Sequence, residues 1–598
     1  MIPSPLFIAA EWEPAELERQ GLDRLGRGSS DEAARYFRRL VTAEPARAAA
    51  HNNLGIALKA AGDPVSGLRS YRRAAALDAC DMAALNNIAN ALAALGNRTD
   101  AIRVLDRVIA NAPAFVEAYQ NRGDTLRHLK RFDEARHSLR TALTLGPGLL
   151  LAHNSVAALA LALGETRSAI KRFRRVLAMA PSAAAHSSLL FSLSYDEETT
   201  CDGLWREYGK WAARYARAEL RSHKSRSNSP DPERRLRVGY VSADLRDHPV
   251  ARNLIGLIAA HDRRTVEVFL YPEIRGADAM TDRFRSLADR WHPTQARSDA
   301  EVSELIGADA IDVLVFVAGH TGENRITVAA RAPAPVQVSI YDLSTTGIDT
   351  MDASLTDAIL HPETTKERFS ERLARLPCLY LHEPPANAPP PGPLPSLSTG
   401  HVTFGSFNNP AKQGDGVYRL WARILSDVPG SRLLLKYRGV YAMPSLRSRI
   451  LATFTQLGVT SERIEFIAEA QDRARHLSDL SRIDVALDPF PFNGCNTTFE
   501  ALWMGVPVVT LAGERFLSRM GASFVHQIGL DELAADSADA YLGAAISLAG
   551  DVSRRVDLRN GLRPRLMASK LTDAVAHARA IEDIYRQLWR RWCDLAAR

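Results

Sequence analysis

Apolar side chains in the first third of the chain recur at helical spacing, and the helical patterns themselves recur every 34 residues. Leu54, Ala57, Leu58 and Ala61 form one apolar face that stops at Gly62; Leu68, Tyr71, Ala74 and Ala75 form the next. One interval later the faces return as Ala91, Leu92 and Leu95, then Ile102, Leu105 and Val108. Asn53, Asn87 and Asn121 keep the interval, and Ser155 continues it. So do Gly62, Gly96 and Gly164, and also Pro45, Pro113, Pro147 and Pro181, with Ala79 in the one missing beat. A period of this length predicts stacked helix pairs. One pair cannot bury its own apolar face, so the stack forms cooperatively. About five units fit between residues 15 and 185, the first of them degenerate. Such stacks commonly hold another polypeptide.

Beyond residue 185 the period fades into a helical extension and linker, 186–235, ending in the connector RSHKSRSNSPDPERR at 221–235. Its Ser, Pro and Arg content predicts exposure. The pattern then changes. LRVGYVS from Leu236, Val266 to Tyr271 and Ile311 to Val317 are short apolar runs rich in β-branched residues, as buried parallel strands are. A Pro-rich stretch, EPPANAPPPGPLP at 383–395, can continue neither helix nor central strand. A second series follows: VTFGSF from 402, RLLLKY from 432, RIEFI from 463, IDVALDPF from 483 and VPVVTL from 506. The prediction is one lobe at 236–383, a linker at 384–397 and a second lobe at 398–598. Both lobes read as doubly wound α/β domains, which bind ligands at the carboxyl ends of their strands. Two such lobes place a site in the cleft between them.

Composition narrows the function. The 598 residues are 46% hydrophobic and 24% charged, ordinary for a globular protein. Net charge is only +6, from 75 basic and 69 acidic residues. Arginine is dispersed along the sequence, so no nucleic-acid partner is expected. The cysteines at 80, 201, 378, 495 and 593 form no C-x-x-C pair, which argues against zinc and disulfides and for a reducing cytoplasm. The N-terminus lacks a basic segment and turns acidic at once, so no signal peptide is read there. No apolar run reaches the ~20 residues that span a bilayer, so no membrane partner is expected.

The helix pairs resemble tetratricopeptide repeats. The α/β half carries a more specific resemblance. LRVGYVSADLRDHP at 236–249, AGHTGENR and RAPAPVQV within 318–338, TFGSFNNPAK at 403–412 and IDVALDPFPFNGCNTTFEALWMGVPVVTLAGERFLSR at 483–519 resemble the bacterial and eukaryotic O-linked N-acetylglucosamine transferases, the family 41 type that includes SPINDLY-like enzymes. The resemblance implies a tetratricopeptide-repeat superhelix followed by a GT-B fold of two Rossmann-like lobes. It also implies an inverting glycosyltransferase that works without metal or other cofactor. The partners implied are a nucleotide sugar, UDP-N-acetylglucosamine by default, and a protein acceptor. The alternative it implies is a flagellin glycosyltransferase with a nonulosonic-acid donor, since some bacterial relatives with this domain order modify flagellin with such sugars.

Each candidate residue has a plain reading beside the implied one. His248, in Asp-His-Pro after the first strand, can cap a helix; the family's matching His lies at the active site with a debated role as base. Lys412 can be a solvated lysine; the family places it against the donor diphosphate, where a fixed cation stabilises the leaving group. Asn409 matches a nucleotide contact. Thr497 to Glu500, TTFE, has capping-box spacing; the family binds donor phosphates at this turn and ribose at the acidic position. His476 matches a His packed on the base, and Arg473 stands near a basic residue of that site. Asn53, Asn87 and Asn121 can bond neighbouring backbone, or form an amide ladder that grips an acceptor peptide, as their NLG, NIA and NRG contexts do in the family.

Three departures bear on the donor. Ser339 to Gly347, SIYDLSTTG, replaces a W-L-G-Y-P-G-T-x-G loop near the donor sugar. Asn496 replaces the first Thr of N-G-x-T-T, and Asn caps helices equally well. Arg252 replaces the second His of H-P-x-x-H, adding a cation that can favour an acidic sugar. A repeat scaffold with a catalytically silent transferase domain is the remaining alternative.

Overall fold

The computed structural model describes residues 13–216, 228–274, 276–469 and 472–597. The first twelve residues and residues 221–227 of the connector lie outside the described residues. The chain divides into two compact units at Ser155.

The first unit is built of helix pairs: Pro14–Gly26 with Ser30–Ala43, Ala48–Ala60 with Pro64–Leu77, Met82–Ala94 with Arg98–Asn111, and Val116–His128 with Phe132–Leu145. The first helix of a pair is small-residue-rich because a large side chain of the second lies flat on it. A Cβ on Gly55 would sit 2.5 Å from the Tyr71 ring. Within each pair the turn needs a left-handed residue. Gly62 (φ 86°) and Gly96 (φ 87°) supply it, and Lys130 (φ 63°) takes the next beat at a cost of about 1–2 kcal/mol.

The helix Leu150–Ala162 contains the division between units. In the second unit three further helices, Thr166–Met179, Ala183–Tyr195 and Cys201–Trp211, lead to two parallel sheets. The first sheet comprises β1 (Leu236–Ser242), β2 (Val266–Pro272), β3 (Arg290–Trp291), β4 (Val313–Val317), β5 (Val336–Ile340), β6 (Ala353–Asp357) and β7 (Arg372–Leu376). Their order is β3-β2-β1-β4-β5-β6-β7. The second comprises β8 (Thr403–Ser406), β9 (Arg432–Lys436), β10 (Ile464–Ile467), β11 (Val485–Leu487), β12 (Val508–Leu511) and β13 (Ala534–Ala535), in the order β10-β9-β8-β11-β12-β13. Each sheet reverses direction at its first strand: β1 pairs with both β2 and β4, and β8 with both β9 and β11. Such a reversal opens a crevice at the carboxyl ends of the strands.

Two chain crossings join the lobes. The Pro-rich crossing has no helix or strand from 384 to 395, and arginine side chains hold its carbonyls. Arg559 Nε donates to Gly392 O at 2.9 Å, and Arg563 Nη2 to Pro389 O at 2.6 Å. The helix Ala574–Ala596 then returns to the first lobe. There Glu582 accepts from His261 Nδ1 at 2.7 Å and from Asp262 N at 3.0 Å, and Tyr585 meets the Tyr240 hydroxyl at 3.3 Å.

The helical extension seals onto the first lobe around His320, of the AGHTGENR motif. Its ring packs edge-on to Trp211 at 4.4 Å and Tyr208 at 5.1 Å, with Ser187 Oγ at 3.2 Å from Nδ1. Burial lowers its pKa to about 4, so it is neutral and donates from Nε2 to Thr346 O at 2.8 Å. The described part of the connector is largely exposed, but Asn228 Nδ2 ties it down by donating to Asp312 Oδ1 at 2.8 Å.

Candidate active site

The two reversal points face each other across one turn of chain, Asn493 to Thr497. From the second lobe, β8 runs into Asn408 and Asn409, then a short 3-10 turn, Pro410–Lys412. Asn409 caps that turn, its Oδ1 accepting from Ala411 N at 3.1 Å. Lys412 Nζ donates to Asn493 O at 2.6 Å and lies 3.9 Å from the Phe492 ring centroid. Burial draws the Lys412 ammonium well below its ordinary range, and Asp488 opposes the fall. Asp488, at the end of β11, is raised by burial while Gly494 N, at 2.7 Å, and Thr510 Oγ1, at 2.9 Å, donate to it.

From the first lobe, β1 runs into Asp244 and His248. His248 caps the helix Pro249–Ala260, with Val250 N at 3.4 Å from Nδ1. Asp244 Oδ1 is nearer the same nitrogen, at 3.2 Å. One nitrogen cannot accept and donate at once. With Asp244 ionised, Nδ1 carries the proton, and Nε2 keeps a lone pair with no partner among the described residues. Burial lowers His248 and raises Asp244, each against the pull of the other.

The lobes touch where these elements meet. Asn496 Nδ2 donates to Pro249 O at 3.0 Å, and Asn253 Nδ2 to Cys495 Sγ at 3.7 Å. Glu500 gathers three basic side chains: His476 Nε2 at 3.2 Å, Arg473 Nη2 at 3.5 Å and Arg252 Nη1 at 3.7 Å, the last from the opposite lobe. Burial works to raise Glu500, but these neighbours overcome it and hold the carboxylate below its ordinary range. Arg252 also pairs with Asp247 at 3.0 Å. His476 faces Phe407, ring to ring at 5.7 Å. Four buried polar atoms at this end of the cleft have no partner among the described residues: Arg252 Nε, Asn253 Oδ1, Asn496 Oδ1 and Thr498 Oγ1. Orphaned groups are rare in folded proteins, and their clustering marks a place for a polar ligand.

The capping box does not form. The helix is Asn496–Trp503, with Cys495 as its cap and no side-chain cap bond. Thr497 is thus inside the first turn, and its hydroxyl donates to Asn408 Oδ1 at 2.7 Å. Glu500 faces its basic neighbours instead of reaching back. Asn496 does not cap either; it bridges to the other lobe. The capping-box spacing is two residues out of register with the helix start, whose cap is Cys495.

The departing loop is folded inward. Tyr341 takes φ 60°, and its hydroxyl donates to Asn253 O at 3.1 Å. Asp342 is buried against Gly319, accepting from His320 N at 3.4 Å and Leu343 N at 3.2 Å. Its Oδ2 has no partner among the described residues, and burial beside Glu371 raises its pKa to about 8. Thr345 Oγ1 and Thr346 N donate to Glu371, each at 2.8 Å.

The repeat asparagines sit elsewhere, in the first unit, and are partly committed to each other. Asn87 Nδ2 donates to Asn52 Oδ1 at 3.0 Å, and Asn121 Nδ2 to Asn86 Oδ1 at 2.9 Å. Each bond staples one repeat to the one before. Asn53, Asn87 and Asn121 all remain half-buried. Reading the sequence did not single out Asp244, Asn408 or Asp488. Their signal was position alone: polar residues just after strands β1, β8 and β11. Among the described residues, no three His, Cys, Asp or Glu side chains cluster as a metal site requires, and no helix is long and apolar enough to cross a membrane.

Two Rossmann-type lobes closing on one cleft define the GT-B class. The chain belongs to glycosyl transferase family 41, whose sequence profile matches residues 177–383 and 395–581. A tetratricopeptide-repeat profile matches 18–81 and 86–149. The chain is similar to the probable UDP-N-acetylglucosamine–peptide N-acetylglucosaminyltransferase SPINDLY of Solanum lycopersicum, 38% identical over 419 residues, covering 69% of this chain and 45% of that protein. The Arabidopsis thaliana counterpart is 36% identical over 418 residues, 69% and 46% of the two chains. A mutant of the Thermobaculum terrenum O-GlcNAc transferase superposes with TM-score 0.82 at 36% identity, covering 87% of this chain and 99% of that one. The chain spans less than half the length of the curated relatives it matches.

Proposed function

We propose that the chain is an inverting, metal-independent protein O-glycosyltransferase that moves a sugar from a nucleotide sugar to a Ser or Thr hydroxyl of a protein held by the repeats. The observation that carries this is the cleft itself: half-buried Lys412 of one lobe bonds the turn at Asn493, Pro249 next to His248 of the other lobe meets it at Asn496, and orphaned polar atoms ring it. In the step, the acceptor oxygen attacks the anomeric carbon and the bond from that carbon to the diphosphate breaks. The hydroxyl proton goes to His248 Nε2, and the nucleoside diphosphate leaves with the bonding electrons. Lys412 and the first backbone N–H groups of the helix Asn496–Trp503 stabilise the departing charge. Asn409, Arg473, His476 and Glu500 hold the nucleoside end. The half-buried amides of Asn53, Asn87 and Asn121 offer their remaining valences to an acceptor backbone.

UDP-N-acetylglucosamine is the proposed donor, in keeping with the names of the relatives. Arg252 supports a neutral sugar rather than an acidic one, because Glu500 and Asp247 already take up its charge. The test is intact-mass measurement of cellular and secreted proteins with and without the chain, and with Lys412→Ala. A hexosamine increment lost in the variant is expected. A nonulosonic-acid increment would replace the donor assignment, and an increment that persists in Lys412→Ala would refute the account of the leaving group.

A further inference from the structure

Arginine is dispersed in the sequence, but the fold gathers much of it onto one face. The second helix of each repeat buries one side; Ser30–Ala43 buries Ala33, Ala34, Phe37 and Leu40, and Pro64–Leu77 buries Leu68, Tyr71 and Ala74. The opposite side is basic at a fixed register. Positions 35, 69 and 103 are arginine, as are 39, 73 and 107. Positions 38 and 72 are arginine too, and so, after Asp106, is 140; every one of these arginines is exposed. The interrupting acid is turned away, since Asp106 pairs with Arg122 at 2.6 Å. Arg103 keeps a partner in Asp100.

Three features separate this stripe from an ordinary solvated surface. Its nine arginines, less Asp106, give +8, more than the +6 of the whole chain, so the remainder is net acidic. Like charges recur at i,i+3 and i,i+4, Arg35 with Arg38 and Arg39, Arg69 with Arg72 and Arg73, where they repel. Apart from Asp106, acids in these helices are confined to the first turns, such as Asp31 and Glu32, where the helix dipole favours them. A face serving solubility alone mixes signs. The side chains are arginine rather than lysine, whose fork suits two-point binding of carboxylates. No aromatic ring stands exposed among them, since Tyr71 is buried and Tyr36 half-buried, so the stripe lacks the stacking platform of single-strand nucleic-acid binders.

We propose that the outer face of the second repeat helices docks an acidic polypeptide segment, rich in Asp and Glu, along the arginine register. This surface is on different helices from Asn53, Asn87 and Asn121 and does not depend on the transferase reading. The probe is a fluorescein-labelled poly-glutamate peptide, with a poly-uridine RNA of equal length alongside, titrated by anisotropy into the full chain at physiological salt. Poly-glutamate is expected to bind, and binding to fall about tenfold or more in Arg69→Glu/Arg72→Glu/Arg73→Glu. It should hold in a control, Arg290→Glu/Arg297→Glu, in the other compact unit. Should the triple variant lose its helical signal, Arg103→Gln/Arg107→Gln takes its place with the same expected direction. Equal poly-glutamate affinity in variant and control would overturn the proposal. So would tighter, stripe-dependent binding of the RNA, which would make this a nucleic-acid surface.

Discussion

Replacing Asp342 with asparagine should stabilise the protein, and more so as pH rises. Asp342 is buried, with His320 neutral beside it and no cation among its contacts. Its pKa is raised from an ordinary 3.8 to about 8, burial being the main cause and the Glu371 charge the second. A carboxyl raised in this way binds a proton in the folded state that the unfolded chain releases. Between those two values, stability therefore falls as pH rises, by about 1.4 kcal/mol per pH unit. From 3.8 to pH 7 lie about three units, hence a penalty of about 4 kcal/mol, reduced to about 2–3 kcal/mol once the extra unpaired N–H of the amide is counted. The amide introduced by Asp342→Asn would keep the bonds from His320 N and Leu343 N through its oxygen. Urea denaturation followed by tryptophan fluorescence, with Trp211 packed on His320 as a reporter, measures the effect at pH 5 and pH 7.5. The wild type should lose stability between the two and Asp342→Asn should lose much less. A variant destabilised equally at both would show that the carboxyl is not held protonated by burial.

Asp244→Asn removes the charge that raises His248, so the acid limb of the kcat/KM profile should move to lower pH while kcat falls about 10²-fold or more. An unmoved limb assigns the proton acceptor elsewhere. Glu500→Ala leaves Arg252, Arg473 and His476 without their shared anion. It should cost about 2–3 kcal/mol in urea denaturation, less than a fully buried pair because water reaches Arg473; Glu500→Gln should restore most of the folding but raise the donor KM. Asn87→Ala loses the staple to Asn52 and should destabilise the repeat unit by about 1 kcal/mol, read by hydrogen exchange of its helices.

The fold was largely legible because its elements carry their own period. The 34-residue beat placed the helix pairs, and apolar runs placed β1, β2, β4 and β8 to β12. The strands missed differ in kind: β3 and β13 are two residues each, β7, RLARL, buries one residue of five, and β5 and β6, VQVSI and ASLTD, are fully buried but mix polar residues into short runs. At the site, spacing was less reliable than position. Thr497 and Glu500 fit a capping pattern, but a helix that starts at Asn496 puts them inside the turn, and only tertiary contacts decide that start. The Glu500 hub was invisible for a similar reason, since Arg252 stands more than two hundred residues away in sequence. The asparagine register was plain, but its pairing with Asn52 and Asn86, one residue off the beat, needed three dimensions.

The helix Ala574–Ala596 has a consequence for assembly. It supplies Glu582 and Tyr585 to the packing of the first lobe, although the whole second lobe lies between it and β1 in sequence. That lobe cannot finish folding until the second lobe has been synthesised, and it waits, partly open, for its final strut. Once in place, the strut and the Pro-rich crossing tie the lobes at two points, so neither lobe hangs from the other by a single strand of chain.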